Sequence, residues 1–258
     1  MVLKEQVERV RVLRLANPPG NVLTRRLLEA LRGEIEAAQS DPGVGALVLA
    51  SSYPRYFSSG LDLEEMAAQP KERQAEHFVL LLDVYRRLRA VPKPTVAALG
   101  GSALLGGWIL AMACDFRLLS EDGKIALSEI RVGLSPGPAL VLRLSEIASS
   151  QTAVKEMVLK GRTLRAPEAL AGGLVDRVVP AASLNEDAMS EARLLAKQAP
   201  AAYAAVKKAL ARRPSGDEEA LWRESREELG ALFPTDDAQE GLTAMREKRR
   251  PRFVSERP

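Results

Sequence analysis

The chain has 258 residues, 46% hydrophobic and 28% charged, which is enough apolar material for one large domain, or for a domain with a small extension. A formal net charge of +3, with Lys and Arg interspersed among Asp and Glu, and an aromatic content of only 4% leave no footprint for nucleic acid. The single cysteine, Cys114, excludes an internal disulfide framework and a multi-cysteine metal site. Met1-Val2-Leu3-Lys4-Glu5 lacks a basic start before an apolar run, and no stretch reaches the length of a membrane span, so a cytoplasmic enzyme without a membrane partner is the expectation.

Val7 to Leu15 alternates in part and reads as a strand closing at the breaker Asn17-Pro18-Pro19-Gly20. Thr24 is placed to cap a helix carrying Leu27, Leu28, Leu31 and Ile35 at helical spacing, and Asp41-Pro42-Gly43 stops it before a strand over 45–50. A second amphipathic helix is predicted over 71–89, with Phe78, Leu81, Leu82, Tyr85 and Leu88 on its apolar face; Pro92 and Pro94 end it. The run Thr95 to Leu99 reads as a buried strand and opens onto a glycine-rich loop, 100–107, then a buried helix from Trp108. Strands follow over 114–120 and 125–127. Helices are predicted from Pro138, over 153–159 and from Arg165, then a strand over 174–180, and the remainder is helical. An α/β core over 1–195 with a helical C-terminal region over 196–258 results, without internal repeats.

Two turns stand out because each follows a predicted buried strand, and ligands bind at such strand ends in open α/β sheets. The first is Ser58-Ser59-Gly60, the second Gly106-Gly107. Lacking side chains, these glycines let the backbone turn sharply and let a ligand approach the N–H groups nearby. If the N–H groups of Leu61 and Gly106 converge, they form a site for a carbonyl oxygen that gains negative charge in a transition state. The helix starting near Gly106 adds its positive end. Ordinary tight turns are the competing explanation for each loop alone. Neither loop has the GxxxxGK[ST] or GxGxxG spacing of a nucleotide site.

The motifs carry a resemblance when taken together. Tyr56-Phe57-Ser58-Ser59-Gly60-Leu61-Asp62-Leu63-Glu64-Glu65-Met66 is followed by Lys93-Pro94-Thr95-Val96-Ala97-Ala98 leading to Gly106-Gly107, then Cys114-Asp115-Phe116-Arg117 and Leu127-Ser128-Glu129-Ile130-Arg131-Val132-Gly133-Leu134. Ala166-Pro167-Glu168-Ala169-Leu170, Val175-Asp176-Arg177-Val178-Val179-Pro180 and the tail from Glu240-Gly241-Leu242 to Glu247-Lys248-Arg249 complete the series. In this order they closely resemble the enoyl-CoA hydratase/isomerase (crotonase) superfamily, nearly end to end. The resemblance implies a ββα spiral core, a helical C-terminal trimerisation region giving a trimer or dimer of trimers, and a coenzyme A thioester as ligand. No metal or redox cofactor is implied; coenzyme A is part of the substrate. It also implies that Leu61 and Gly106 supply the two oxyanion N–H donors, the same pair the glycine loops single out.

Hydratases of this superfamily use two glutamates, one three residues after the donor glycine and one in a Pro-Glu-Ile-type motif. The first position is Ile109 here; the second is Glu129. One carboxylate can remove a proton from C2 and return it at C4, whereas orienting a nucleophilic water is poorly supported. This pattern resembles the Δ3,Δ2-enoyl-CoA isomerases, as does Asn17-Pro18-Pro19-Gly20-Asn21-Val22-Leu23. A hydratase, another reaction using one glutamate, or a CoA-thioester-binding protein with little catalysis are the alternatives. The last draws on Ile109 and on Ser135-Pro136-Gly137-Pro138, which departs from the usual glycine-rich continuation. By the same resemblance Ser59, Gly60, Asp62 and Leu63 line the thioester, and Arg25 and Lys248 reach the coenzyme A phosphates. Asp62 could equally cap the next turn, and the basic tail around Lys248 could be a solvated face. His77, the only histidine, reads as a packing or helix-surface residue, and Cys114 as a small core residue.

Overall fold

The structure, a computed structural model, describes residues 1–70, 73, 75–132, 134–211, 235–237, 240, 244, 247, 249 and 251–253. Among them a six-stranded sheet has the order β1-β2-β4-β7-β9-β12, formed by Val2–Val7 (β1), Val10–Leu15 (β2), Ala46–Ser51 (β4), Thr95–Leu99 (β7), Phe116–Ser120 (β9) and Arg177–Val179 (β12). The β1/β2 pair is antiparallel and every other pairing is parallel. Both faces are covered, which is why β4 and β7 read as unbroken apolar runs rather than alternating ones.

Alternate side chains of these strands enter two separate cores. Leu47, Leu49, Ala97 and Leu99 face a large cluster with helix α1 (Arg25–Ser40), helix α3 (Ala75–Ala90) and helix α4 (Gly106–Ala113). Ala46, Val48, Ala50, Val96 and Ala98 face the other way, against helix α8 (Leu184–Leu195). That helix meets them through Leu184, Ala188 and Ala192, and Ala196 follows at the same four-residue interval. Small residues on both surfaces bring helix and sheet close, so a larger side chain has no room. Ala192→Leu is expected to cost about 1–3 kcal/mol, read as a lower midpoint of urea unfolding.

A second sheet has the order β11-β10-β8-β5, from Tyr56–Ser58 (β5), Ser102–Leu104 (β8), Lys124–Ala126 (β10) and Leu164–Arg165 (β11). Val22–Leu23 (β3) and Gly60–Leu61 (β6) form a separate two-stranded parallel ladder. The chain visits the first sheet, then the second, then a helix: β7, β8 and α4, followed by β9, β10 and helix α5 (Pro138–Ile147). This repeated strand, strand, helix order builds the mixed α/β spiral expected from the sequence.

Several elements match the sequence expectation for identifiable reasons. Thr24 caps α1, its side chain accepting from the Leu27 N–H at 3.2 Å. The strand expected over 7–15 is β2, and the chain before it adds β1, so that the two form a hairpin turning at Glu8 with φ 55°, a conformation the sequence does not advertise with glycine or asparagine. Ser102–Leu104, expected as loop, is a strand. Helix α9 (Pro200–Leu210) follows α8, and the helices expected beyond Pro214 fall largely outside the described residues. No helix among the described residues is long and apolar enough to cross a membrane.

Candidate active site

Strands β5, β8 and β10 lie side by side and parallel, so their C-terminal ends open on one edge of the second sheet. Beyond β5 the chain runs into Gly60 and Leu61, beyond β8 into Leu105 and Gly106, and beyond β10 into Glu129. The Leu105 N–H donates to the Ala126 carbonyl at 2.8 Å, tying the second exit to the third. Three predicted residues far apart in sequence, Leu61, Gly106 and Glu129, therefore share one strand edge.

The first two approach closely. A Cβ placed on Gly60 would lie 3.5 Å from the Gly106 backbone nitrogen, and one placed on Gly106 would lie 3.5 Å from the Leu61 nitrogen. Gly60 has φ +104°, which a side chain rarely tolerates, and Gly106 faces the Leu23 and Leu81 side chains at 2.9 and 3.1 Å from its notional Cβ. As the first residue of α4, Gly106 has no intrahelical acceptor for its N–H. It sits at the positive end of that helix.

Leu105, the residue before it, has φ 50° and ψ −120°, a conformation normally left to glycine. Its half-buried side chain stands beside Gly60, 3.0 Å from the notional Cβ there. The leucine thus stands against the Gly60 backbone, a placement that sequence patterning could not signal.

Glu129 begins a short 3-10 helix, Glu129–Val132. It is 6% exposed, and its Oε2 has no hydrogen-bond partner among the described residues. Burial raises its carboxyl above the ordinary range, with its own backbone N–H pulling weakly the other way. Leu127, two residues earlier, is buried, whereas Ile130, the next residue, is 45% exposed. Ile109 is 1% exposed in the apolar core, and Gly106–Ala113 contains no acidic residue.

The remaining predicted residues separate by environment. Ser59 donates through its N–H and Oγ to the Gly20 carbonyl at 3.0 and 3.3 Å. Asp62 caps helix α2 (Leu63–Ala67), accepting from the Glu65 N–H at 2.9 Å, and Leu63 is 59% exposed. Arg25 opens α1, with its guanidinium 3.5 Å from Glu76 and much of its side chain exposed. Lys248 lies outside the described residues. Cys114 is fully buried, its thiol pushed up to about 12 chiefly by burial, as suits a core residue. Among the described residues no three His, Cys, Asp or Glu side chains gather around a metal position.

Two residues matter more than the sequence indicated. Asn21, fully buried, donates to the Phe57 carbonyl at 3.0 Å and the Ser51 Oγ at 2.8 Å, and accepts from the Asn17 N–H at 2.8 Å. It fastens the 17–21 loop onto β5 just before Gly60. His77, 4% exposed, points inward to the carbonyl of Leu23.

The sequence pattern of the enoyl-CoA hydratase/isomerase family matches residues 5–256. The chain is 34% identical over 247 residues to 2,3-dehydroadipyl-CoA hydratase of Escherichia coli (strain K12), covering 95% of each. It is 30% identical over 250 residues to short-chain-enoyl-CoA hydratase of Clostridium acetobutylicum, covering 96% of this chain and 95% of that one. Among solved structures, an enoyl-CoA hydratase from Bacillus anthracis superposes with a TM-score of 0.91 at 28% identity, covering 98% of this chain and 99% of that one. These relatives are named as hydratases rather than as members of the Δ3,Δ2-isomerase branch. With the fold and near full-length similarity in accord, the chain belongs to the enoyl-CoA hydratase/isomerase (crotonase) family.

Proposed function

We propose that this enzyme converts a 3-enoyl-CoA to the conjugated 2-enoyl-CoA. The Glu129 carboxylate removes a proton from C2, the thioester oxygen takes up the charge as a dienolate, and the same carboxyl returns the proton to C4. The Leu61 and Gly106 N–H groups hold that oxygen, each such donor contributing about 3–4 kcal/mol to the transition state. The carrying observation is the contrast between Ile109, apolar and buried, and Glu129, whose Oε2 has no hydrogen-bond partner among the described residues. A raised carboxyl suits a group that must both take and return a proton. Arg25 and Lys248 are assigned to the coenzyme A phosphates, and Ser59, Gly60, Asp62 and Leu63 to the thioester side of the cleft. The reading uses no cofactor beyond the coenzyme A of the substrate. A trimer or dimer of trimers belongs to it by family resemblance.

Hydration of 2-enoyl-CoA is the second reading, favoured by the names of the relatives. A paired assay separates the two. With 3-enoyl-CoA the absorbance of the conjugated thioester is expected to rise; with 2-enoyl-CoA it is expected to stay flat. Loss of that absorbance from 2-enoyl-CoA would establish hydration and overturn the isomerase assignment.

A further inference from the structure

We infer that His77 is a positioning residue that sets the direction of the Leu61 N–H from beneath. The assignment rests on the proposed role of the Leu61 and Gly106 N–H groups. His77 lies on α3, and its Nε2 is 2.8 Å from the Leu23 carbonyl across 54 residues of sequence. A carbonyl only accepts, so Nε2 carries the proton and donates. The same carbonyl accepts from the Asp62 N–H at 3.3 Å, on the far side of Leu61. Leu23 is also the ladder partner of Leu61 in the β3/β6 pair.

That ladder is only two residues long on each strand, and so short a ribbon has little stability of its own. Its orientation must be supplied from outside, and α3 supplies it at two points. His77 fixes the Leu23 backbone, while Leu81, one turn further along the same helix face, lies 3.1 Å from the notional Cβ of Gly106. The Leu23 side chain reaches the same point, at 2.9 Å. One helix therefore braces the backbone partner of the first donor and the second donor itself. On its other side, His77 Nδ1 faces Glu65 Oε2 at 3.9 Å, and that carboxylate accepts from the Arg25 N–H at 3.0 Å. The ring is held between the starts of α1 and α2, and a tilt of the ladder is resisted from both.

The test uses three variants and a probe that needs no turnover. His77→Phe keeps the ring and removes the donor; His77→Gln restores an N–H at the reach of Nε2; His77→Asn is polar but too short. A cinnamoyl-CoA thioester, whose absorption band moves to longer wavelength when its carbonyl is polarised, reports directly on the two N–H groups. Wild type and His77→Gln are expected to show the shift. His77→Phe, or His77→Asn if the phenylalanine variant does not fold, is expected to lose most of it and to lose kcat by roughly 10- to 100-fold with little change in KM. A full shift in His77→Phe, or in the too-short His77→Asn, overturns the assignment, as does loss of the shift in His77→Gln as well, which would mark a packing role only. No shift in wild type would instead overturn the reading of Leu61 and Gly106 on which it rests.

Discussion

Glu129→Gln is expected to lower kcat for 3-enoyl-CoA by about 10²- to 10⁴-fold while leaving the affinity for a saturated acyl-CoA unchanged. Glutamine keeps the volume and the polar end of the side chain but can neither remove nor return a proton. Calorimetric titration with the saturated thioester, beside turnover, separates catalysis from binding. A wild-type protein with no turnover to lose would favour the binding-protein alternative. Unchanged turnover in the variant would remove Glu129 from the mechanism. The substitution carries a second signature in stability. Burial raises the folded-state pKa of this carboxyl, so the native protein keeps its proton at pH values where the unfolded chain has already released it. Its contribution to stability is therefore present at low pH and lost as pH rises from the ordinary carboxylate range through the raised folded value. Glutamine has no such slope. At neutral pH the variant should be as stable as wild type or more so, and the difference should narrow on acidification.

Gly60→Ala is expected to reduce kcat/KM by about 10²- to 10³-fold, the loss associated with one oxyanion donor. Two causes act together. The backbone at φ +104° strains any residue with a side chain, at a cost of about 1–3 kcal/mol. The new methyl would also stand 3.0 Å from Leu105 Cβ and 3.5 Å from the Gly106 nitrogen, beside the proposed donor pair. The strain lowers the melting temperature, whereas the obstruction appears only in turnover and in thioester binding. An alanine variant with a lowered melting temperature and unaltered kcat/KM would mean that substrate does not enter between these N–H groups.

The parts of the molecule legible in the sequence are those whose cause is local. Thr24 followed by Leu27, Leu28, Leu31 and Ile35 specifies α1 because cap and apolar face lie within one helix. Gly60 stood out as a glycine after the 45–50 strand, yet it follows a further strand, β5, and itself begins β6, neither of which the local pattern marks. Less visible were features decided by distant partners. Ser102–Leu104 is a strand because Tyr56–Ser58 and Lys124–Ala126 flank it, which no pattern within Gly100-Gly101-Ser102-Ala103-Leu104 declares. Leu105 was missed because its glycine-like conformation contradicts its identity. His77 was read as a packing residue since its partner is a backbone carbonyl, and backbone carbonyls leave no trace in a sequence. In the same way, the hairpin turn at Glu8 is imposed by the pairing of its strands.

The parallel pairing of β5 with β8 also has a bearing on how chemistry can change within this scaffold. Adjacent strands are about 4.8 Å apart whatever their side chains, because backbone hydrogen bonding fixes the interval. The β5/β8 pairing, register shift included, sets where the segments that carry Leu61 and Gly106 begin, and the β3/β6 ladder then directs the first of them. The side chains at Ile109 on α4 and at Glu129 on the segment after β10 are, by contrast, single positions outside that pairing, and either can be exchanged without altering the backbone frame. A fold organised in this manner separates holding a thioester from deciding its fate, and new reactions become reachable by one or two substitutions on an unchanged frame.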